Sequence, residues 1–120
     1  MMKSIFITGA SAGIGKATAL LFVQRGWFVG VADVDETGLE ELKKCADGKI
    51  GFSSPLDVTD AEKVSSVLEA FHTAAGGSMD VLFNNAGILR TGPFETISLK
   101  DHHAILSINA GGILNCTCHA

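Results

Sequence analysis

The sequence of 120 residues has no tyrosine, no long apolar run and no concentration of basic residues. No apolar stretch approaches the roughly 18 residues that a membrane-spanning helix needs, so membrane insertion is not expected. The nine Lys and Arg residues are scattered along a chain of net charge −4, which gives no basic stripe for a nucleic-acid backbone. These absences predict a globular protein whose partners are neither nucleic acids nor membranes.

Cysteine is also scarce. Cys45, Cys116 and Cys118 are an odd number without the spacing of a disulfide framework, and free thiols fit a reducing compartment. The first ten residues lack the long apolar centre of a secretion signal, so we expect a cytoplasmic protein. His102, His103 and the final Cys-Thr-Cys-His predict no metal site, because adjacent and i, i+2 residues point to different sides of a helix.

Apolar runs alternate with helical patterns along the chain. The predicted strands are residues 4–7, 28–32 and 49–58, and residues 79–87 predict a fourth strand that runs into a turn of small residues. Helices are predicted after Gly13, around Leu39, after a capping box that opens at Thr59, and after a second capping signature at Ser98. This alternation predicts one doubly wound α/β domain over residues 1–120, with a parallel sheet between two layers of helices.

Three glycines occupy the turn between the first predicted strand and the first predicted helix. In doubly wound sheets, ligands bind beyond the carboxyl ends of the strands, and a helix amino terminus suits a pyrophosphate. Gly9 would permit the turn, Gly13 the close approach of a ligand, and Gly15 the packing of the helix. The order Gly-x-x-x-Gly-x-Gly differs from the general G-x-G-x-x-G fingerprint, so an ordinary tight turn is the alternative.

Two motifs resemble those of the short-chain dehydrogenase/reductase family. Residues 8–15, "TGASAGIG", look like its T-G-x-x-x-G-x-G motif, and residues 84–87, "NNAG", match its second motif. The resemblance extends to "LDVTD" at residues 56–60 and to Asn109, in the family's order along the whole chain. It implies an NAD(P)-binding Rossmann domain with strands in the order 3-2-1-4, as the first half of a larger domain.

The resemblance also assigns residues to the cofactor. In the family, the residues equivalent to Asp57 and Val58 border the adenine, although Asp57 could instead only fix a local turn. The "NNAG" segment passes beside the ribose, with an ordinary turn as the alternative. The implied cofactor-binding residues are Gly9, Ser11, Ala12, Gly13, Ile14, Gly15, Asp33, Val34, Asp57, Val58, Asn84, Ala86 and Gly87.

Asp33 bears on the choice between NAD and NADP. The spacing from Gly15 to Asp33 is close to roughly 20 residues. At that spacing, an acidic side chain in such folds accepts hydrogen bonds from the ribose hydroxyls. A 2′-phosphate about 4 Å away would be repelled by about 4 kcal/mol per charge pair at an effective dielectric of 20, so we predict NAD rather than NADP. Ala12 and Val34 offer no cation for a 2′-phosphate, but Lys16 keeps NADP open, and Asp33 could simply solvate a strand end.

Asn109 is the one catalytic residue that the resemblance implies within this chain. The equivalent family residue interrupts its helix and holds, through its main-chain carbonyl, a water that leads to a catalytic lysine. Gly111 and Gly112 would weaken the helix at the same place. The alternative is an ordinary polar residue on a helix face.

The family's catalytic serine, tyrosine and lysine lie beyond the fourth helix. Its Y-x-x-x-K pair lowers the pKa of the phenol that serves as base. Because this chain has no tyrosine, we expect those residues after Ala120 in a longer enzyme, and the 120 residues alone to be inactive. The fourth strand would then lie on an open sheet edge, which favours aggregation.

The leading prediction is an oxidoreductase that transfers a hydride between NAD(H) and an alcohol or carbonyl substrate. The resemblance implies a homo-oligomer, a dimer or tetramer paired through the fourth helix and its successor. One alternative is a catalytically incomplete nucleotide-binding or subunit-pairing module. Another is a scaffold whose glycine turn holds no ligand.

Overall fold

The computed structural model describes residues 2–120. Four parallel strands form one sheet in the order β3-β2-β1-β4. This confirms the predicted α/β class, the parallel sheet and its strand order, and it places the fourth strand at an edge. The strands are β1 Ser4–Thr8, β2 Phe28–Asp33, β3 Phe52–Pro55 and β4 Val81–Phe83.

Helices follow each strand and cover both faces of the sheet. The segment Ser107–Gly111, which contains Asn109, is a π-helical turn that joins two α-helices. The α-helix is thus interrupted where the sequence predicted a local weakness, although the backbone angles at its caps stay helical. Such turns insert an extra residue into a helix and are frequent at functional sites. The helices are α1 Gly13–Gln24, α2 Glu36–Cys45, α3 Ala61–Ala74, α4 Leu99–Leu106 and α5 Gly112–Cys118, with a 3₁₀ turn at Phe94–Thr96.

The third and fourth strands are shorter than the predicted segments. Within residues 49–58, β3 ends at Pro55, and the Leu56 N–H still donates to the Asp33 carbonyl at 3.0 Å. Within residues 79–87, β4 ends at Phe83 and is followed by the segment in which the sequence predicted a turn. Beyond β4, the backbone N–H groups of Asn85 and Ala86 donate to the Thr8 side chain instead of to a neighbouring strand.

The predicted cap of α3 was displaced by one residue. Asp60 is the N-cap, and its side chain accepts a hydrogen bond of 3.1 Å from the Lys63 N–H. Thr59 was expected there, but its hydroxyl donates to Oδ1 of Asp57 at 2.7 Å. Both residue types cap helices well, and the nearby carboxylate decides which of them is free to do so. The expected cap of α4 at Ser98 is confirmed.

The sheet separates two apolar cores, because successive side chains of a strand point to opposite faces. Ile5 and Ile7 pack on the α1 and α2 side, whereas Phe6 packs on the α3 and α5 side. Phe71 of α3 is fully buried, with its ring 5.1 Å from that of Phe6. Gly30 makes room for it, since a Cβ there would lie 2.5 Å from the Phe71 ring.

Two adjacent glycines give a matched test of this packing. A Cβ on Gly112 would lie 2.5 Å from Cγ2 of Val58, whereas on Gly111 the nearest atom would be 3.9 Å away. We expect Gly112→Ala to reduce the free energy of unfolding by about 1–3 kcal/mol through overpacking. Gly111→Ala should leave it unchanged or raise it by up to about 1 kcal/mol, because alanine favours helix. Urea unfolding measures both, and equal stabilities would contradict the packing described.

Candidate functional site

A groove of about 390 Å³ opens beyond the carboxyl ends of the strands. This is where doubly wound sheets bind their ligands. Its walls come from the four turns that follow the strands and from the π-helical turn. They are formed by Gly9, Ala12 and Gly13 after β1, Ala32, Asp33 and Val34 at the end of β2, Leu56, Asp57 and Val58 after β3, Asn85, Ala86, Gly87 and Ile88 after β4, and Ile108.

The glycine turn after β1 has the geometry that the sequence predicted. Gly9 and Gly13 have φ of +62° and +57°, in the left-handed region. A Cβ on Gly9 would lie 2.9 Å from the Ala86 Cα, whereas one on Gly13 would meet no atom within 4 Å. A Cβ on Gly15 would collide with the Gly9 carbonyl and the Asn85 amide. Gly9 and Gly15 therefore serve close packing, while Gly13 leaves open space at the groove.

The amino terminus of α1 differs from those of α2, α3 and α4. The latter three are capped by the side chains of Asp35, Asp60 and Ser98. The N-cap of α1 is Ala12, with no side-chain hydrogen bond and no acidic residue in the first turn. The first N–H groups of α1 therefore have no side-chain acceptor, and no negative side chain in the first turn balances the positive end of the helix dipole. Helix termini that bind anions have the same properties.

The Asp33 carboxylate is held in place at the end of β2. Its Oδ2 accepts hydrogen bonds from the Ser11 N–H at 3.1 Å and the Ser11 hydroxyl at 2.8 Å, and its Oδ1 accepts from the Asp35 N–H at 3.0 Å. Ser11, which was predicted to contact the cofactor, uses its hydroxyl to orient this carboxylate. Val34 lies beside it and is 70% exposed. No Lys or Arg belongs to the groove walls described above.

The turn after β3 presents Asp57 and Val58. Oδ1 of Asp57 accepts from both the N–H and the hydroxyl of Thr59, at 2.9 and 2.7 Å. The local turn that the sequence left as an alternative is therefore present, and Asp57 also lines the groove. Val58 is buried, and its carbonyl accepts a hydrogen bond of 2.9 Å from Nδ2 of Asn115.

The turn after β4 is fastened to the glycine turn by Thr8 and Asn85. The Thr8 hydroxyl oxygen accepts from the backbone N–H groups of Asn85 and Ala86 at 3.1 and 3.0 Å. Nδ2 of Asn85 donates to the carbonyls of Thr8 and Gly9 at 3.2 and 3.0 Å. These four bonds hold two walls of the groove together.

Asn84 and Asn109 connect the same region to the last helices. Nδ2 of Asn84 lies 3.3 Å from the Thr117 hydroxyl, so its side chain is directed to α5 rather than to the groove wall. Asn109 lies in the π-helical turn, and its amide pairs reciprocally with the backbone of Ile88, with both bonds at 2.8 Å. The Asn109 side chain therefore positions the chain after β4, and the role of its main-chain carbonyl stays a prediction.

The groove walls and the predicted cofactor residues overlap but differ. Ile14 is 73% exposed outside the wall, and Gly15 is buried behind it. Ser11, Asn84 and Asn109 support wall residues instead of forming the wall. Sequence reasoning did not assign Ala32, Leu56, Ile88 and Ile108 to the groove, and it placed Asn85 there only as part of the "NNAG" segment. Ala32 and Leu56 stand near the ends of predicted strands, and this position is the signal that could have found them.

No cysteine or histidine of the described residues 2–120 is one of the groove-lining residues. Cys116 is buried in the core beside Val58, and burial raises the pKa of its thiol. Cys45 and Cys118 are exposed. Among residues 2–120, no three Cys, His, Asp or Glu side chains are grouped so that they could hold a metal ion. No helix in this part of the chain is both long and apolar enough to cross a membrane.

The parallel sheet, its strand order and the glycine turn define a Rossmann-type α/β fold. Residues 3–120 match the family model described as short chain dehydrogenase. The chain therefore belongs to the short-chain dehydrogenase family.

Similar proteins agree with this assignment. The chain is 40% identical over 117 residues to the 3-oxoacyl-[acyl-carrier-protein] reductase FabG of Thermotoga maritima, covering 96% of this chain and 47% of that protein. It is 35% identical over 113 residues to the probable oxidoreductase EphD of Mycobacterium tuberculosis, covering 92% of this chain and 19% of the relative.

Solved structures confirm the fold. A crystal structure of a short-chain dehydrogenase/reductase, titled glucose/ribitol dehydrogenase, from Brucella melitensis superposes with a TM-score of 0.91 and 28% identity. The match covers 98% of this chain and 50% of that one. The chain thus spans half or less of the length of these matched proteins.

The Thr8 hydroxyl provides a test of how the groove walls are joined. Thr8→Val keeps the shape of the buried side chain but removes the acceptor of two backbone N–H groups. We expect the free energy of unfolding to fall by about 1–3 kcal/mol, because the part-buried Ala86 N–H loses its partner and the Asn85 N–H keeps only the Phe83 carbonyl. Thr18→Val is the control, since the Thr18 hydroxyl only donates to a carbonyl of its own helix. Chemical denaturation measures the free energy of unfolding of both variants. If Thr8→Val lowers it no more than Thr18→Val does, this account is contradicted.

Proposed function

We propose that this chain is the cofactor-binding part of an NAD-dependent oxidoreductase that transfers a hydride between NAD(H) and an alcohol or carbonyl substrate. The proposal rests on one observation: the uncapped amino terminus of α1 and the oriented Asp33 carboxylate belong to the same groove. Family membership supports it, because enzymes of this family use NAD or NADP.

The pyrophosphate would lie against the glycine turn. The N–H groups that open α1 have no side-chain cap, and Gly13 leaves the space before them free. A diphosphate would accept hydrogen bonds from these groups and would be stabilised by the helix dipole. Ala12 and Ile14 would contact it through their backbone, while Gly9 and Gly15 allow the turn to adopt its shape.

The adenosine would extend across the ends of β2 and β3. The Asp33 carboxylate would accept hydrogen bonds from the ribose hydroxyls, beside Val34. Its negative charge, with no Lys or Arg among the groove-lining residues, favours NAD over NADP. The adenine would lie beside Asp57 and Val58.

The nicotinamide end would lie beside the turn after β4. Ala86 and Gly87 are small enough to let the nicotinamide ribose approach, while Asn84 and Asn109 hold this turn against the last helices. The bound dinucleotide would supply the hydride chemistry. We place the catalytic serine, tyrosine and lysine in sequence beyond residue 120, and a proton relay at Asn109.

A carbonyl substrate is supported by one relative, whose name identifies it as a 3-oxoacyl reductase. The cytoplasm is the proposed location, because three free cysteines suit a reducing compartment. The alternative function, a nucleotide-binding or subunit-pairing module without catalysis, is favoured by one observation: the chain itself holds no tyrosine to act as base.

Pairing of subunits is proposed at the outer face of α4 and α5. Four large apolar side chains are exposed on these helices: Leu99 at 72%, Leu106 at 66%, Ile113 at 42% and Leu114 at 65%. Residues seven apart lie on one face of an α-helix, so Leu99 and Leu106 share one face of α4. The π-helical turn adds one residue before α5, so Leu114, eight residues after Leu106, continues this apolar stripe. A second copy of the chain would cover it in a homodimer or tetramer.

Cofactor choice tests the role of Asp33. Asp33→Asn keeps the size of the side chain and removes its charge. The NADP dissociation constant divided by the NAD dissociation constant should therefore fall by about tenfold, because solvent and salt screen the repulsion between the carboxylate and a 2′-phosphate to a fraction of its full Coulomb value. NADH and NADPH fluorescence titrations measure both constants. Asp47→Asn removes a charge from the turn after α2, away from the groove walls, and should leave the ratio unchanged. An unchanged ratio in Asp33→Asn would refute the assignment.

Oligomeric state tests the apolar stripe. The double variant Leu106→Glu and Leu114→Glu places two charges on the proposed interface and should convert the oligomer to a monomer in sedimentation velocity. Leu21→Glu, on exposed α1 at the other face of the sheet, is the control and should leave the assembly intact. An unsubstituted protein that sediments as a monomer would rule out the proposed pairing.

A further inference from the structure

The helix formed by α4, the π-helical turn and α5 contacts the groove turns through polar side chains. Asn109 pairs with Ile88 in the turn after β4, and Asn115 donates to the Val58 carbonyl in the turn after β3. The first contact joins the helix to the nicotinamide side of the groove. The second joins it to the adenine side, and the function proposed above leaves it unused.

Two contacts hold Val58, and a third joins the residues on either side of it. Nδ2 of Asn115 holds its carbonyl at 2.9 Å, and the backbone of Gly112 lies against its side chain, where a Cβ would be 2.5 Å from Cγ2. On the other side, Thr59 is tied to Asp57 by two hydrogen bonds. Asn115 is half-buried, and among the residues that make these contacts it is the one whose polar side chain comes from a distant part of the chain.

The Val58 N–H is the group that these contacts leave free. Within residues 2–120, it donates to no backbone or side-chain acceptor, and Val58 lines the groove. A buried N–H without a partner is costly, and a ligand acceptor would satisfy it. Its direction depends on the rotation of the Val58 backbone, which the bond from Asn115 restricts.

We propose that Asn115 is a positioning residue for the adenine end of the cofactor and acts through Val58. The inference rests on the proposed function, because it concerns the same groove. By holding the Val58 carbonyl from α5, Asn115 keeps the N–H of the same residue available to a ring nitrogen of the adenine. The Val58 backbone is thus already held in place before the ligand binds. Binding then does not bear the entropic cost of ordering this backbone.

Binding of ADP-ribose to the full-length protein tests the inference, since this probe contains the adenine end without the nicotinamide. Asn115→Leu removes the donor at similar size, and Asn115→Asp keeps the shape with an oxygen that cannot donate when ionised. Each should raise the ADP-ribose dissociation constant by about fivefold in calorimetry, the worth of one hydrogen bond. Thr73→Val, which removes a hydroxyl donor to a carbonyl on α3, is the control and should stay within twofold.

Amide chemical shifts separate positioning from a general loss of structure. With saturating ADP-ribose, the Gly13 amide should shift equally in the unsubstituted protein and in Asn115→Asp, whereas the shift of the Val58 amide should be reduced in the variant. Dissociation constants within twofold for both variants, or equal loss at Gly13 and Val58, would overturn the role of Asn115. An unsubstituted protein that binds no ADP-ribose would instead contradict the proposed function, and this inference with it.

Discussion

The contact between Gly9 and Ala86 fixes how closely the turns after β1 and β4 approach each other. A Cβ on Gly9 would lie 2.9 Å from the Ala86 Cα, so the two backbones meet with no side chain between them. The hydroxyl of Thr8 and the amide of Asn85 then supply four hydrogen bonds across the same contact. These contacts fix the separation of two walls of the groove.

Charge is distributed in this groove in a way that suits a dinucleotide. A capping carboxylate or hydroxyl neutralises the start of α2, α3 and α4, but α1 begins on Ala12 without one. Of the two acids that line this groove, Asp33 is held at the end of β2 by hydrogen bonds from Ser11 and Asp35. The positive end of the α1 dipole and the Asp33 carboxylate thus lie at separate places in the groove. A diphosphate would require the first, and two ribose hydroxyls would require the second.

The fold could be predicted to a large extent because its determinants are local. Unbroken apolar runs such as β2 indicate a strand covered on both faces, and left-handed glycines such as Gly9 mark the turn. The end of β4 could not be predicted, because the Thr8 side chain accepts from the N–H groups of Asn85 and Ala86, a contact between distant parts of the sequence. The cap of α3 moved from Thr59 to Asp60 for a related reason, competition from the Asp57 carboxylate.

The candidate site was predictable where a residue acts by its own backbone or charge, as Gly13 and Asp33 do. It was not predictable where residues far apart in sequence share one contact. Ser11 orients Asp33, and Asn115 holds Val58, yet neither pairing leaves a pattern in the sequence. Hydrogen bonds of this kind depend on how helices lie on the sheet, which periodicity alone does not give.

A crystal structure of the protein with NAD bound tests the central claim most directly. The account predicts the diphosphate within hydrogen-bonding distance of the N–H groups that open α1, and the adenosine ribose hydroxyls on the Asp33 carboxylate. A dinucleotide bound outside this groove, or in it with the diphosphate away from α1, would contradict the account.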